Sequence, residues 1–266
     1  MVYWDADARK DLLVGLTDGR VQLFSNINTD DEPQFDAGTY LQVGEPGSKV
    51  DIDVAYRAAP TVVDWNNDAR KDLVLGARYG KIHIFLNEGT HTEPDFRTEQ
   101  FAQLNGADLI VPSERSSPHI LDLDDDDMKD LLTGNTNGEL LFYRNTGSDD
   151  APSFSDYVYV EADGVPIDLA DLARSRPFVC DWTGDDLLDV LIGAGDGLVH
   201  LYQGRCVGDL TGDGQTDQAD LGLFLSDWGC DDPVNGCVGD LDGDDDTDHA
   251  DLGILLANWG CTQIIP

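Results

Sequence analysis

The chain has 266 residues, and its 53 acidic side chains outnumber 16 basic ones, which gives a formal net charge of −37. This charge argues against nucleic-acid binding, which uses a basic face, and against attachment to anionic membranes. Since 41% of the residues are hydrophobic and they fall in short regular runs, the sequence predicts a folded protein rather than a disordered one.

The acidic residues are mostly aspartate, with 45 Asp and only 8 Glu. Aspartate has a short side chain that can turn the chain and bind a cation in the same tight loop. Carboxylate oxygens are hard ligands of the kind that Ca²⁺ prefers. The composition therefore predicts a calcium-binding protein.

Four related segments occupy the first three-quarters of the chain. The run at 71–76 recurs at 10–15 and 129–134, with a looser copy at 188–193, so that its aspartate repeats at intervals of 61, 58 and 59 residues. An alternating segment such as 82–85 follows each copy and indicates a half-buried strand. Each repeat therefore predicts four short antiparallel strands. In the second repeat we expect them near 60–64, 72–78, 81–87 and 95–104.

About sixty residues per four-stranded sheet is the spacing of a β-propeller blade, and such sheets bury their faces by stacking. The predicted fold class is thus mainly β, with a propeller of four-stranded blades. The first, second and third strand of the repeat each occur four times, but the fourth strand occurs only three times. The sequence is therefore compatible both with a four-bladed ring and with part of a larger ring. Trp4, Trp65 and Trp182 share one repeat position with Leu123. This recurrence predicts a packing position.

The composition changes after residue 205, where 206–266 hold 14 acids and no Lys or Arg. A new repeat of 31 residues begins there, and each copy predicts a loop followed by an amphipathic helix of about ten residues. We expect the two helices to pack their apolar faces together. The predicted domains are 1–205, the β repeats, and 206–266, a small helical tail. The apolar stripe positions are Leu221, Phe224, Leu225, Trp228, Leu252, Leu255, Leu256 and Trp259.

Both tail loops have the ligand spacing of an EF-hand-type calcium loop, with oxygen ligands at positions 1, 3, 5, 7, 9 and 12. Position 7 of such a loop uses its backbone carbonyl. Two copies at matching spacing favour a metal site over an acidic surface loop. The predicted ligands are Asp209, Thr211, Asp213, Gln215, Asp217 and Asp220 in the first loop, and Asp240, Asp242, Asp244, Asp246, Asp248 and Asp251 in the second.

The β repeats carry similar loops, with oxygen side chains at positions 1, 3, 5 and 9. In the first repeat Tyr3 occupies position 1, which weakens that site. The alternative is an aspartate-rich hairpin turn without a metal. The predicted ligands are Asp5, Asp7 and Asp11; Asp64, Asn66, Asp68 and Asp72; Asp122, Asp124, Asp126 and Asp130; and Asp181, Thr183, Asp185 and Asp189.

The tail resembles a type I dockerin module, and residues 1–205 resemble the FG-GAP or VCBS repeats of integrin-like propellers. The first resemblance implies a cohesin-like partner module on a scaffold protein, and the second implies Ca²⁺ in the repeat loops. In dockerins, positions 10 and 11 of each loop take part in recognition. Here they are Gln218, Ala219, His249 and Ala250 rather than the common hydroxyl-bearing pair, which leaves the type of cohesin open.

Four of the five cysteines lie between residues 206 and 261, and this clustering predicts disulfides and an oxidising compartment. The dockerin resemblance favours Cys206–Cys261 with Cys230–Cys237 over one bridge within each repeat. Cys180 is left over in an apolar segment and is expected to be a buried thiol.

No serine-nucleophile, phosphate-loop or zinc-protease motif is present in the sequence. The leading hypothesis is a secreted, non-catalytic calcium-binding interaction protein. Its tail would dock to a cohesin and its propeller would present a protein- or glycan-binding face, in polysaccharide degradation or cell-surface assembly. The location is expected to be extracellular or at the cell surface, although the first residues do not form a signal peptide. The alternative is a polysaccharide lyase or glycoside hydrolase, or a fragment of one whose catalytic domain lies upstream. A carboxylate pair in 44–58, 105–117 or 161–175 would favour it.

Overall fold

The fold is mainly β, with many small antiparallel sheets and two helices, as the repeat pattern predicts at this level. The computed structural model describes residues 1–5, 7–124, 126–162, 165–169, 174–184, 187–204, 206–212, 215–232 and 236–260. The chain divides into two compact units, one of 1–122, 126–178 and 192–200, the other of 123–125, 179–191 and 201–266. The domain boundary near residue 205 stays a prediction.

Four sheets follow one another along the chain, and each joins neighbouring strands in sequence order. The first contains β1 (Leu12–Gly15), β2 (Val21–Phe24) and β3 (Thr39–Tyr40). The second contains β6 (Ala59–Val63), β7 (Asp72–Gly76), β8 (Ile82–Phe85) and β9 (Gln100–Phe101). The third contains β12 (Ser117–Leu121), β13 (Asp130–Gly134), β14 (Leu140–Tyr143) and β15 (Val158–Tyr159), and the fourth β18 (Arg176–Cys180), β19 (Asp189–Gly193) and β20 (Val199–Tyr202).

Two-stranded hairpins, which the sequence pattern did not reveal, follow the first three sheets. They are β4 (Gln42–Val43) with β5 (Val50–Asp51), β10 (Gln103–Leu104) with β11 (Ala107–Asp108), and β16 (Glu161–Ala162) with β17 (Val165–Pro166). Their strands have only two residues each, too short for an alternating pattern to stand out.

The fourth strand of the second sheet is much shorter than the predicted 95–104. The buried Asn87 explains this, because its side chain closes the turn that precedes the strand. Its Oδ1 accepts from the Gly89 and Asp95 amides at 2.9 Å, and its Nδ2 donates to the Thr90 carbonyl at 2.8 Å. These bonds hold the backbone in a turn until residue 96, which forms a single bridge with Asn87.

Successive sheets bury side chains against one another. Trp4 lies in a core shared by the first and second sheets, with its ring 6.3 Å from that of Phe96, and Trp65 lies in a core shared by the second and third. Leu123 is also buried, so the predicted packing position is confirmed in three repeats. It is wrong for Trp182, which is 63% exposed. The repeat pattern ends soon after the fourth sheet, and no fifth copy is present to cover this position.

Glycines at the ends of β1, β7 and β13 explain how closely the sheets approach. A Cβ at any of these glycines would lie 2.0–2.2 Å from a backbone carbonyl oxygen of the residue directly before the first strand of the next sheet. The glycines are Gly15, Gly76 and Gly134, and the facing oxygens belong to Ala58, Ser116 and Ser175, respectively. Only glycine allows that approach. The equivalent Gly193 in the fourth sheet has no neighbour within 4 Å among the described residues.

The tail contains α1 (Gln218–Ser226) and α2 (His249–Ala257), which confirms both predicted helices. Hydrogen bonds repeat with two-fold symmetry, since the Gly229 amide donates to the Thr247 carbonyl at 2.9 Å and the Gly260 amide to the Thr216 carbonyl at 2.8 Å. Neither described helix is long and apolar enough to cross a membrane.

The predicted apolar packing of these helices is only partly correct. Phe224 and Leu255 are fully buried, and each lies beside the glycine that opens the other repeat's loop, Gly239 or Gly208. Leu221 and Leu252 are half-buried, but the other four stripe residues are 41–56% exposed, so the expectation that whole stripes pack together is wrong. These exposed residues are Leu225, Trp228, Leu256 and Trp259.

The cysteines agree with the prediction in part. Cys230 and Cys237 form a disulfide with their Cα atoms 5.8 Å apart, as expected. Cys206 is also disulfide-bonded, but Cys261 lies outside the described residues. Cys180 is a free thiol, but it is half-buried rather than buried, so that part of the prediction is wrong. Burial and the nearby Asp189 and Asp181 carboxylates raise its pKa.

Candidate metal centres

The last predicted ligand of each repeat loop, here called the closing aspartate, is fully buried. Its carboxylate accepts backbone amides from two separate segments of the same repeat. In the second repeat, Asp72 accepts the Trp65 amide at 2.8 Å through Oδ2 and the Asn87 amide at 2.7 Å through Oδ1. Each carboxylate oxygen has a second lone pair, so a metal contact stays compatible with these bonds. The sequence predicted a ligand and missed this structural role. The closing aspartates are Asp11, Asp72, Asp130 and Asp189.

The closing aspartates of the tail, Asp220 and Asp251, have the same structural role and also cap the helices. Asp251 Oδ1 accepts the Leu241 amide at 2.7 Å, and its Oδ2 accepts the Asp248 amide at 2.8 Å. Asp248 in turn caps α2, which completes a capping box. Burial alone would raise the pKa of Asp220 and Asp251, but these backbone hydrogen bonds outweigh it and lower both pKa values.

In the second and third repeat loops and the second tail loop, the aspartate at position 1 folds the loop back on itself. The Asp64 carboxylate accepts the Asp68 and Ala69 amides at 3.0 and 2.8 Å, and Asp240 accepts the equivalent Asp244 and Asp245 amides at 3.2 and 3.0 Å. The repeat and tail loops therefore share one local conformation. In that conformation position 6 has a positive φ of 58° to 74° at Ala8, Ala69, Asp127 and Asp245, which explains why glycine suits it.

The second tail loop gathers most of its predicted ligands. Carboxylate oxygens of Asp240, Asp242 and Asp251 lie within 4.8 Å of one another, and so do those of Asp246, Asp248 and Asp251. Burial and the surrounding carboxylates raise the pKa values of Asp242 and Asp246. Asp251 belongs to both groups, so the two groups together include five of the six predicted positions. Asp244 lies in the same loop and accepts the Asp246 amide at 3.1 Å.

The third repeat loop also brings acids together. Oxygens of Asp122, Asp124 and Asp130 lie within 4.8 Å of one another, and Asp126 accepts the Met128 amide at 3.0 Å in the same loop. Position 7, an arginine in the first two repeats, is a methionine here. This loop therefore has no basic residue at that position to neutralise its acids.

The second repeat loop has a partly compensated charge. Asp68 forms an ion pair with Arg70, while Asn66 Oδ1 is buried without a hydrogen-bond donor in the described part of the chain. Burial and the Asp68 and Asp64 charges raise the pKa of Asp72, against the hydrogen bonds from two backbone amides. A cation held by Asn66 and the loop acids would satisfy these groups.

The first repeat loop contains a protein cation. Lys71, which is buried, donates from Nζ to the carbonyl oxygens of Tyr3 and, at 2.8 Å, Trp4. Burial lowers the pKa of Lys71, although the Asp11 and Asp5 carboxylates partly oppose this. The third predicted acid, Asp7, pairs with Arg9. Lys71 thus places a positive charge at the first repeat loop, in which position 1 is Tyr3 and not an aspartate.

The remaining two loops are described in part. In the fourth repeat, Asp189 Oδ2 accepts the Trp182 and Thr183 amides at 2.8 and 3.0 Å, and Asp181 accepts the Gly184 amide at 2.6 Å. In the first tail loop, Asp209 accepts the Gly212 amide at 2.7 Å and the Thr211 hydroxyl at 3.2 Å. Gln215 is exposed, and Asp217 caps α1. Asp185 and Asp213 lie outside the described residues.

The donor set fits a hard cation best in the second tail loop. Asp246 Oδ1 is buried there without a hydrogen-bond partner among the described residues, inside a group of carboxylates. The side chain of Asp246 therefore offers an oxygen where the EF-hand pattern uses a backbone carbonyl. Ca²⁺ accepts six to eight oxygen ligands in flexible geometry, which such a loop can supply.

The four predicted partner-binding residues are all exposed. They occupy the first two positions of each helix: Gln218 and Ala219 in α1, and His249 and Ala250 in α2. The His249 ring also contacts Trp228 edge-on, with centroids 5.0 Å apart. This contact joins the start of one helix to the end of the other.

Comparison with known proteins identifies no family. No family model matches the chain, and no curated protein matches it. Among solved structures, the Photorhabdus luminescens Tc holotoxin pore aligns with a TM-score of 0.40 and 16% sequence identity. The alignment covers 72% of this chain and 8% of that chain, so the present chain spans a small part of that protein's length.

Proposed function

We propose that this protein is a secreted, non-catalytic interaction protein whose acidic loops bind Ca²⁺. The observation that carries the proposal is the second tail loop, where two groups of three predicted ligands share the closing aspartate Asp251. Burial and then repulsion from neighbouring carboxylates raise the pKa values of Asp242 and Asp246, and a bound cation would relieve that repulsion. The third repeat loop offers the same chemistry with Asp122, Asp124 and Asp130.

The tail is proposed to act as a dockerin-like module for a cohesin-like partner. Its two loop–helix copies are related by reciprocal hydrogen bonds, which is consistent with two similar docking faces. Large apolar side chains on α1 and α2 are exposed, and exposed apolar surface of this kind is typical of protein-interaction sites. In this proposal the successive sheets are blades of a propeller that presents a protein- or glycan-binding face.

Calcium binding is tested by thermal unfolding and titration calorimetry of the full chain. Binding to the folded state alone raises the melting temperature by mass action, so we expect a higher Tm in Ca²⁺ than in chelator. The same Tm in both conditions, with no heat of binding, would contradict the calcium proposal.

Docking is tested by titrating the full chain with cohesin modules encoded by the same genome. The double variant Asp209→Ala with Asp240→Ala removes both position 1 ligands and should abolish binding. The control Asp31→Ala with Glu45→Ala removes equal charge from exposed positions outside the loops and should bind normally. If the folded, calcium-loaded protein binds none of the cohesins, the tail has a different class of partner.

A further inference from the structure

Five arginines form a basic cluster in the first compact unit of this strongly acidic chain. Arg57, Arg115 and Arg174 occupy the same position in three repeats, 58 and 59 residues apart, each three residues before a proline. Arg78 and Arg176 complete what we call the arginine cluster. Burial lowers the pKa of Arg115, and the other four guanidinium charges lower it further. Five of the 16 basic residues are thus held close together despite their repulsion.

In the described part of the chain, no acidic side chain forms an ion pair with the arginine cluster. By contrast, Arg20 and Arg97 pair with Asp18 and Asp95 at 2.7 and 2.9 Å. Arg57 Nε is buried without a hydrogen-bond acceptor there. Four of these arginines, Arg57, Arg115, Arg174 and Arg176, line one cleft, where they are placed to bind an anionic ligand.

Backbone strain marks the same three repeat positions. The φ angles of Arg57, Arg115 and Arg174 are 57°, 54° and 91°, a left-handed conformation that favours glycine or asparagine. Each amide is held by a carbonyl oxygen, that of Thr17 at 3.1 Å, Arg78 at 2.7 Å and Thr136 at 3.1 Å, respectively. Strained backbone of this kind clusters at ligand-binding sites.

A cavity of about 580 Å³ adjoins the cluster, because Ala59, Ser117 and Arg176 line both the cavity and the cleft between the arginines. Its other walls include apolar side chains from several sheets. Phe178 and His119 add an edge-on ring pair with centroids 5.2 Å apart. This volume lies within the range of small-molecule sites, which combine apolar walls with a few charged groups.

We propose that the arginine cluster and this cavity bind a small organic anion with two or more carboxylate groups, such as an acidic oligosaccharide or a dicarboxylic acid. Guanidinium groups bind carboxylates through two parallel hydrogen bonds, and several arginines in one place favour several carboxylates. The rings and prolines of the cavity accommodate the carbon skeleton. The inference rests on the part of the proposed function that gives the repeats a binding face, and it is independent of the calcium loops and the tail.

The test is titration calorimetry of the full chain in calcium buffer with trigalacturonate, succinate and a neutral galactose trimer. We expect trigalacturonate, succinate or both to bind with one-to-one stoichiometry, and we expect no binding of the neutral galactose trimer. Binding of trigalacturonate alone assigns an oligosaccharide, and binding of succinate as well assigns any compact polycarboxylate. The double variant Arg115→Met with Arg174→Met should weaken binding at least tenfold, while the control Arg20→Met with Arg97→Met should leave it unchanged.

The melting temperature separates a binding role from a structural one. Removing two like charges should leave the Tm of the ligand-free Arg115→Met, Arg174→Met variant equal or higher, whereas a purely structural cluster would lose stability. The proposal is overturned if neither trigalacturonate nor succinate binds the folded protein, or if the double variant binds as well as the original. Calcium-dependent unfolding of the same preparation shows whether such a failure extends to the proposed calcium loops.

Discussion

The ammonium group of Lys71 lies on the Tyr3 and Trp4 carbonyls, in a loop that also holds Asp5 and Asp11. A lysine from the second repeat therefore compensates charge in a loop of the first. The equivalent Lys129 pairs with Asp149 at 2.8 Å and donates to Asn67 of the second loop at 2.6 Å. In the fourth repeat this position is Leu188. The repeat loops thus differ in how far their acids are already neutralised.

Replacing Lys71 by methionine should destabilise the protein by about 2 kcal/mol, since hydrogen bonds to a charged group contribute roughly 1.5–3 kcal/mol each. The matched control is Lys10→Met, which changes the same repeat position at an exposed site. Urea unfolding in the presence of chelator measures both. Equal stability of the two variants would show that Lys71 does not hold the first loop together.

Asp246→Asn should have opposite effects with and without calcium. The pKa of Asp246 is raised by burial and by neighbouring acids, so its charged form is unfavourable in the metal-free loop at neutral pH. The variant should therefore melt higher than the original protein in chelator and gain less Tm from Ca²⁺. Asp245→Asn, which changes a non-ligand position of the same loop, is the control. A full calcium response in Asp246→Asn would remove this residue from the ligand set.

At the scale of single elements, the distance between neighbouring sheets depends on glycines at strand ends as well as on apolar side chains. A Cβ at Gly76 would lie 2.2 Å from the Ser116 carbonyl oxygen, so β7 and the entry to β12 approach too closely for any other residue. The fully buried strands β7 and β13 are central strands of their sheets. The strands that form the buried core are therefore also the strands that end in a closely approached glycine.

Gly76→Ala should destabilise the protein by about 1–3 kcal/mol, as overpacking does in other cores, while Gly193→Ala should be near neutral. The two positions are equivalent in the repeat, but a Cβ at Gly193 would meet no described neighbour within 4 Å. Chemical unfolding of both variants makes the comparison. Similar losses at both sites would mean that strand propensity, rather than sheet approach, selects these glycines.

The helices of the tail depend on ionised aspartates at their first turns. The folded-state pKa values of Asp220 and Asp251 are lowered from 3.8, so their contribution to stability is present above about pH 4 and is lost as the pH falls through the lower folded values. We expect the helical signal to weaken in chelator as the pH falls below about 4. The variant Asp251→Asn should already have lower stability at pH 7 and a smaller acid-induced loss. An acid transition identical in the variant and the original protein would contradict this assignment.

At the scale of the whole molecule, a net charge of −37 opposes folding through repulsion among the acids. Salt screens this repulsion, because the Debye length falls from about 10 Å at 0.1 M to about 3 Å at 1 M ionic strength. In chelator, the Tm should therefore rise as KCl increases from about 0.05 to 0.5 M. In Ca²⁺ the rise should be smaller, since bound ions already neutralise the loops. Parallel curves in both conditions would contradict a shared electrostatic origin.

The amino-acid sequence by itself determined the periods of the repeats, the second and third strands and both tail helices. These features follow from local patterns of apolar spacing and turn residues, which a single segment contains. The Cys230–Cys237 pairing was expected only from the dockerin resemblance. The recurring ligand spacing of the loops was also visible in the sequence, whereas the left-handed backbone at position 6 was found only in the structure.

Only the tertiary structure decided which loops keep uncompensated acids, which apolar residues stay exposed and where basic residues gather. Lys71 acts on a loop more than sixty residues earlier in the chain, and the arginine cluster draws members from three repeats. Trp182 has the same local sequence context as Trp4 and Trp65 but is exposed. The physical reason is that burial and charge compensation depend on neighbours brought together by sheet packing, and those neighbours are distant in sequence.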